Sequence, residues 1–159
     1  MSLSTIAPVL AALKTRWISD LAVSSPATQV IYGPRIGKVT TRSSILTIGD
    51  VEFTRTPVVF AQAGDQFAED EPWSVNCVAE VFIAGATDQQ PATEAALALF
   101  TAALTSLQPA SGDETLGVAR VQWVRITGTA GVVAGKEAAT IKAGRSASVP
   151  FKVQVQGVL

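Results

Sequence analysis

Two stretches of strict alternation constrain this chain more than anything else in it. In WSVNCVAEVFIAG, Trp73, Val75, Cys77, Ala79, Val81 and Ile83 occupy every second position, with Ser74, Asn76 and Glu80 between them. In VPFKVQVQGV, Val149, Phe151, Val153 and Val155 alternate with Pro150, Lys152, Gln154 and Gln156. A period of two sends one set of side chains to one side of a pleated strand and the other set to the opposite side. Each stretch therefore predicts a long strand with one buried face. Pro150 has no ladder donor, which predicts an edge or a bulge near the start of the last strand, and an unprotected edge there invites pairing with another chain.

The cover for that buried face comes from two segments of helical period. Ile6, Val9, Leu10, Leu13, Trp17 and Leu21 recur at helical spacing, with Ser4 or Thr5 as the cap and Pro8 in the first turn. Pro91 opens a second helix, whose apolar stripe reads as Leu97, Phe100, Leu104 and Leu107; alanines at 92, 95, 96, 98, 102 and 103 supply propensity, and Pro109 and Gly112 end it. Between the helices, Gln29 to Tyr32 reads as a short strand and SILTIGDVEFTR as two strands turning at Gly49 and Asp50. Val58 to Gln62 extends the sheet in the same reading, and GDQFAEDEP returns to solvent. VARVQWVRIT pairs with the last strand through TAGVVAGKEAATIKAGRS, a connection too long for a tight hairpin. The expected architecture is α+β: a mostly antiparallel β-sheet with two α-helices packed on one face, plus a long extended hairpin or loop, in one domain over 1–159.

Charge is segregated along the chain although the net charge is only −1. Up to Arg55 six Lys or Arg stand against Asp20, Asp50 and Glu52; from Gln62 to Leu116 there are nine acidic residues and no basic one; after Gly117 six basic residues stand against Glu137 alone. Such blocks either cancel when neighbouring strands pair or give the molecule faces of opposite sign.

The absence of histidine excludes the Ser-His-Asp triad, the Cys-His dyad and histidine-bearing metal sites. GTAGVVAGKEA fails as a phosphate loop, because the glycine that motif needs at position 130 is Ala130 and the Ser or Thr needed after Lys136 is Glu137. Cys77 has no second cysteine to pair with and reads as a small buried apolar residue. Glu69, Asp70 and Glu71 read as a solvated loop and Trp73 and Trp123 as core residues. A pocket built from Glu80, Arg120 and Arg125 is the one enzyme-like or ligand-binding alternative, and its plain counterpart is a cross-strand ion pair. No window approaches the roughly 18 apolar residues of a membrane span, and MSLSTIAPVL lacks the basic and small-residue features of a secretory signal, so assembly in a cytoplasm is expected.

The ordered combination of a helix ending KTRWISDL, the strand WSVNCVAEVFIAG followed by the helix DQQPATEAALALF, then VARVQWVRIT and VPFKVQVQGVL, resembles tail terminator proteins of long-tailed bacteriophages. The resemblance covers nearly the whole chain and is one of layout, with no invariant motif. It implies a structural, non-enzymatic virion protein that forms a homo-hexameric ring, caps the completed tail tube at its head-proximal end, stops polymerisation and offers a surface to the head–tail connector or head-completion protein. It implies no cofactor, no metal and no membrane, with DNA contacted only in passage through the ring. A tail tube subunit and a head-completion or neck protein are the neighbouring alternatives. Candidate contacts to the next subunit, the tube or the connector, chosen from loop position and charge, are Arg35, Lys38, Arg42, Glu69, Asp70, Glu71, Lys136, Lys142 and Arg145.

Overall fold

A computed structural model describes residues 4–21, 28–33, 43–53, 70–108, 114–129, 131–135 and 143–158. The elements run α1 (Ile6–Leu21), β1 (Gln29–Tyr32), β2 (Ser43–Phe53), β3 (Asp70–Ala84), α2 (Gln90–Ser106), β4 (Val121–Thr129), β5 (Val133–Ala134) and β6 (Gly144–Val158). The sheet order is β1-β2-β3-β6-β4, with β5 also paired to β6. Every pairing is antiparallel except β1 with β2. The fold is α+β, as the alternation and the two helical stretches require.

The two alternating segments form the centre of the sheet. β3 and β6 pair without interruption from Asp70↔Val158 to Ala84↔Gly144, which places Trp73, Val75, Cys77, Ala79 and Val81 beside Val155, Val153, Phe151, Val149 and Ala147 on one face. All ten side chains are buried. α1 contributes Val9, Leu13, Trp17 and Leu21 to the same core. Trp17 stands edge-on to Phe151 with ring centroids 6.1 Å apart, and its indole N–H donates to the Ala103 carbonyl of α2 at 3.3 Å. One side chain thus joins both helices to the middle of the sheet.

Register and packing revise parts of the sequence reading. β6 is an interior strand, flanked by β3 on one side and by β4 and β5 on the other, so of the two alternatives expected at Pro150 the edge is not realised and the irregularity is. Pro150 is accommodated opposite the break between Thr129↔Phe151 and Val133↔Ser148, where β4 has ended and β5 has not begun. Of the long connection, the described start is one arm of a hairpin, β5 pairing antiparallel with β6 through Val133↔Ser148 and Ala134↔Ala147. SILTIGDVEF is a single strand, because the bulge between Ile48 and Val51 absorbs Gly49 and Asp50 while β3 supplies a continuous partner. A Cβ on Gly49 would lie 2.8 Å from the Asn76 carbonyl oxygen.

The buried stripe of α2 is Ala92, Ala96, Leu99 and Ala103, continued by Ser106 and by Leu107 just past the helix; Phe100 and Leu104 are half-buried and Leu97 is 43% exposed. Small residues let the helix backbone come close to a sheet already filled by Trp17 and Phe151. Phe100 reaches Phe151 from the flank of the stripe, at 5.3 Å between centroids. The strand expected at Val58 to Gln62 lies outside the described residues.

Candidate interaction surface

Six of the nine residues singled out by charge, Arg35, Lys38, Arg42, Glu69, Lys136 and Lys142, lie outside the described residues. The other three fall at the ends of the sheet. Asp70 is exposed as the first residue of β3. Arg145 is near the start of β6, at the opposite end; its guanidinium donates to the Gly144 and Thr87 carbonyls at 3.0 and 3.1 Å, tying the strand to the loop before α2.

Glu71 is no solvated loop residue. It is the second residue of β3 and shares a face with Trp73, which turns its carboxylate under the amino end of α1. Oε1 accepts from Ser4 Oγ at 2.6 Å, and Oε2 accepts from the Thr5 N–H at 2.7 Å and from Thr5 Oγ1 at 2.6 Å. Thr5 Oγ1 in turn accepts from the Trp73 indole N–H at 3.0 Å. At this helix start the Thr5 N–H is thus met by a carboxylate 66 positions away in the chain, and the Ile6 N–H donates to Ser4 Oγ at 3.3 Å.

The face of the sheet away from the helices carries a polar row. Lys152 Nζ donates to Glu52 Oε2 and Asn76 Nδ2 to Glu52 Oε1, each at 2.7 Å. The Lys152 hydrogen bond, followed by the Asn76 bond and the Lys152 charge, holds the Glu52 carboxyl below its ordinary range. A depressed folded value stabilises the fold above the unfolded value and loses that contribution as pH falls through the folded one; Glu52 is fully exposed, so the effect is small. Beside this row, Val78, Gly128, Pro150 and Lys152 line a shallow, mostly apolar groove of about 440 Å³.

At the β4 edge, Arg125 donates through Nε and Nη2 to Glu114 Oε2 at 2.9 and 2.7 Å, and its guanidinium lies 5.0 Å from the centre of the Trp123 ring. Trp123 is therefore a half-exposed residue of the open face and not a core residue. The irregularity between Val121 and Trp123 shifts the alternation, so that Val121 and Val124 are the buried pair. Leu104, Leu107, Val124 and Ile126 form the apolar part of a groove of about 330 Å³ between α2 and this edge.

Glu80, Arg120 and Arg125 do not converge. Glu80 is in register with Ser148 and Arg125 with Gln154, six residues further along β6 or about 20 Å; Arg120 sits in the turn before β4 with φ 64°. Glu52, Asn76 and Glu114 escaped the sequence reading because their partnerships depend on register and turn geometry, which no local pattern encodes. Among the described residues no group of three metal-ligating side chains is placed to hold an ion, and no helix is long and apolar enough to cross a membrane.

Cys77 is 1% exposed, and burial pushes its thiol up to about 12. The native protein at pH 8 is expected to react with a thiol-specific disulfide reagent only as fast as the sheet opens, and at once in urea. Absorbance on mixing measures both rates.

No protein-family model matches the chain, and no curated protein matches it by sequence. Among solved structures, one that matches covers 98% of this chain and 97% of its own at 16% identity and a TM-score of 0.48, a likeness too slight to carry an argument.

Proposed function

We propose that this chain is a ring-forming subunit of a phage neck, a tail terminator in type, which caps the completed tail tube, stops its growth and receives the head connector. The observation that carries the reading is the sheet order. Among the described residues it leaves two unlike strands, β1 and β4, at opposite edges. An unlike pair of edges cannot join isologously. Repeated head-to-tail contact between them generates a closed ring when the rotation per subunit closes, and a filament when it does not. The fully paired β3 and β6 between those edges make a stiff plate, and the chain's segregated charge supplies complementary loops for neighbouring subunits or rings. The site of action in this reading is the head-proximal end of the tail, after assembly in the host cytoplasm. The partners are further copies of this chain, the tail tube protein and the connector, and DNA only passes through the lumen.

Light scattering after size exclusion, with negative-stain imaging of the same fractions, tests the assignment. Closed hexameric rings are expected, either free or on tube ends. Long cylinders of this chain alone would assign it to the tube, and a monomer that ignores tube ends would end the reading.

A further inference from the structure

The sheet face turned away from the helices carries a polar platform that register sets out in rows. Trp123 stands beside Gln156; Arg125, Gln154 and Ser74 form the next row, with Glu52 of β2 beyond them, and Lys152 and Asn76 belong to the row after. None of these residues is buried. Rows two residues apart are spaced about 7 Å along strands that lie about 4.8 Å from each other. The charges of the platform are matched: Lys152 pairs with Glu52 and Arg125 with Glu114, each at 2.7 Å. Between these pairs the Gln154 side-chain amide, with two donors and an acceptor, bonds to nothing among the described residues, and Ser74 beside it is short enough to leave it open. Gln156 donates to the Gly157 carbonyl at 3.3 Å and keeps its amide oxygen for another donor. Trp17 and Trp73 are 0% and 3% exposed, whereas Trp123 is half-exposed and braced by the Arg125 guanidinium, 5.0 Å from its ring centre.

We infer that this face binds a neutral saccharide chain, one sugar ring laying its C–H face on Trp123 and its neighbours presenting hydroxyls to Gln154, Arg125 and the Glu52–Asn76–Lys152 group. A sugar offers an apolar face to an aromatic ring, and each of its hydroxyls both donates and accepts, which suits a surface of amides and of ion pairs whose donors and acceptors are already held in position. Nucleic acid suits it less, because its affinity comes from surplus positive charge and here the Lys and Arg are each matched by a carboxylate. The platform is open and flat, so a single contact is weak, in the millimolar range, and repeated units along one chain raise the effective affinity. The inference does not depend on the ring reading, which concerns the sheet edges.

Titration of the isotope-labelled full chain with maltohexaose, cellohexaose and chitohexaose, followed by amide and indole N–H shifts in two-dimensional NMR, tests it. At least one of the three is expected to move the signals of Trp123, Arg125 and Gln154 saturably, including the Trp123 indole, while the indoles of Trp17 and Trp73 stay in place. Trp123→Ala and Gln154→Ala are each expected to weaken that binding about tenfold, with urea midpoints little changed because neither side chain belongs to the core. The inference is overturned if none of the three hexaoses moves these signals, or if the affinity survives both substitutions. It is equally overturned if a single-stranded oligonucleotide moves the same signals at a lower concentration than any of the saccharides does.

Discussion

Trp17→Ala is expected to lower the free energy of unfolding by about 3–5 kcal/mol, the range for emptying an aromatic site in a packed core. Trp17 is fully buried and ties both helices to the centre of the sheet: its ring meets Phe151 of β6 and its N–H meets Ala103 of α2. Removing the ring leaves a cavity that the alanine stripe of α2 cannot fill, and it leaves the Ala103 carbonyl without that donor. Folded proteins of ordinary size have a total stability of about 5–15 kcal/mol, so the variant should be close to its folding threshold at 37 °C. Trp17→Phe keeps most of the volume and should cost about 1–2 kcal/mol through the lost N–H bond and partial cavity. Urea midpoints of the three proteins, at equal slope, give the comparison.

Gly144→Ala should be nearly as damaging although it adds one methyl group. Gly144 opens β6, is buried, and pairs with Ala84. A Cβ there would overlap the Ile83 carbonyl oxygen and come within 2.9 Å of the Ala84 Cα. These are backbone atoms of the strand that β6 must pair with, so they cannot rotate aside. The first residues of β6 would have to leave β3, and with them the 2.8 Å bond from Gly85 N–H to the Ala143 carbonyl. A cost of about 3 kcal/mol is expected, at the upper end for overpacking. Gly131→Ala is the control. Its φ is +85° with nothing within 4 Å of the added Cβ, so only the left-handed conformation is penalised, by about 1 kcal/mol. Similar losses in the two variants would mean that the β3–β6 junction yields.

Much of this fold was legible because burial on one side imposes a period, and a period survives without knowledge of the partner. The alternation of 73–83 and 149–155 identified β3 and β6, and Val9, Leu13, Trp17 and Leu21 identified the inner face of α1. The reading failed where a local signal had two structural meanings. Gly49-Asp50 is good turn chemistry, and it is equally good bulge chemistry when a 15-residue partner strand runs past it. Large apolar residues on α2 look like a core stripe when the core is imagined empty; with Trp17 and Phe151 already in it, alanines are what fit. Pro150 excludes a ladder bond, but a break in the neighbouring strand provides the same relief as an edge.

Surface chemistry was far less legible. Glu71 looks like one member of a solvated acidic run until Thr5 is seen above it. Trp123 looks like core until the irregularity before it moves the alternation by one. Arg125 finds Glu114, 11 residues upstream through a turn in which Leu116 has φ 55° and Arg120 φ 64°, and it does not find Glu80. Such pairs follow from register, turn and topology taken together. No short window of sequence holds all three.

The proposed role of ending tail tubes is read out by tube length. Tail tube subunits polymerising in vitro, imaged by negative stain with increasing amounts of this protein, should give progressively shorter tubes, each with a ring of this chain at one end and no growth after a second addition of subunits. A length distribution unchanged by an excess of the protein, with no density added at tube ends, would contradict the claim.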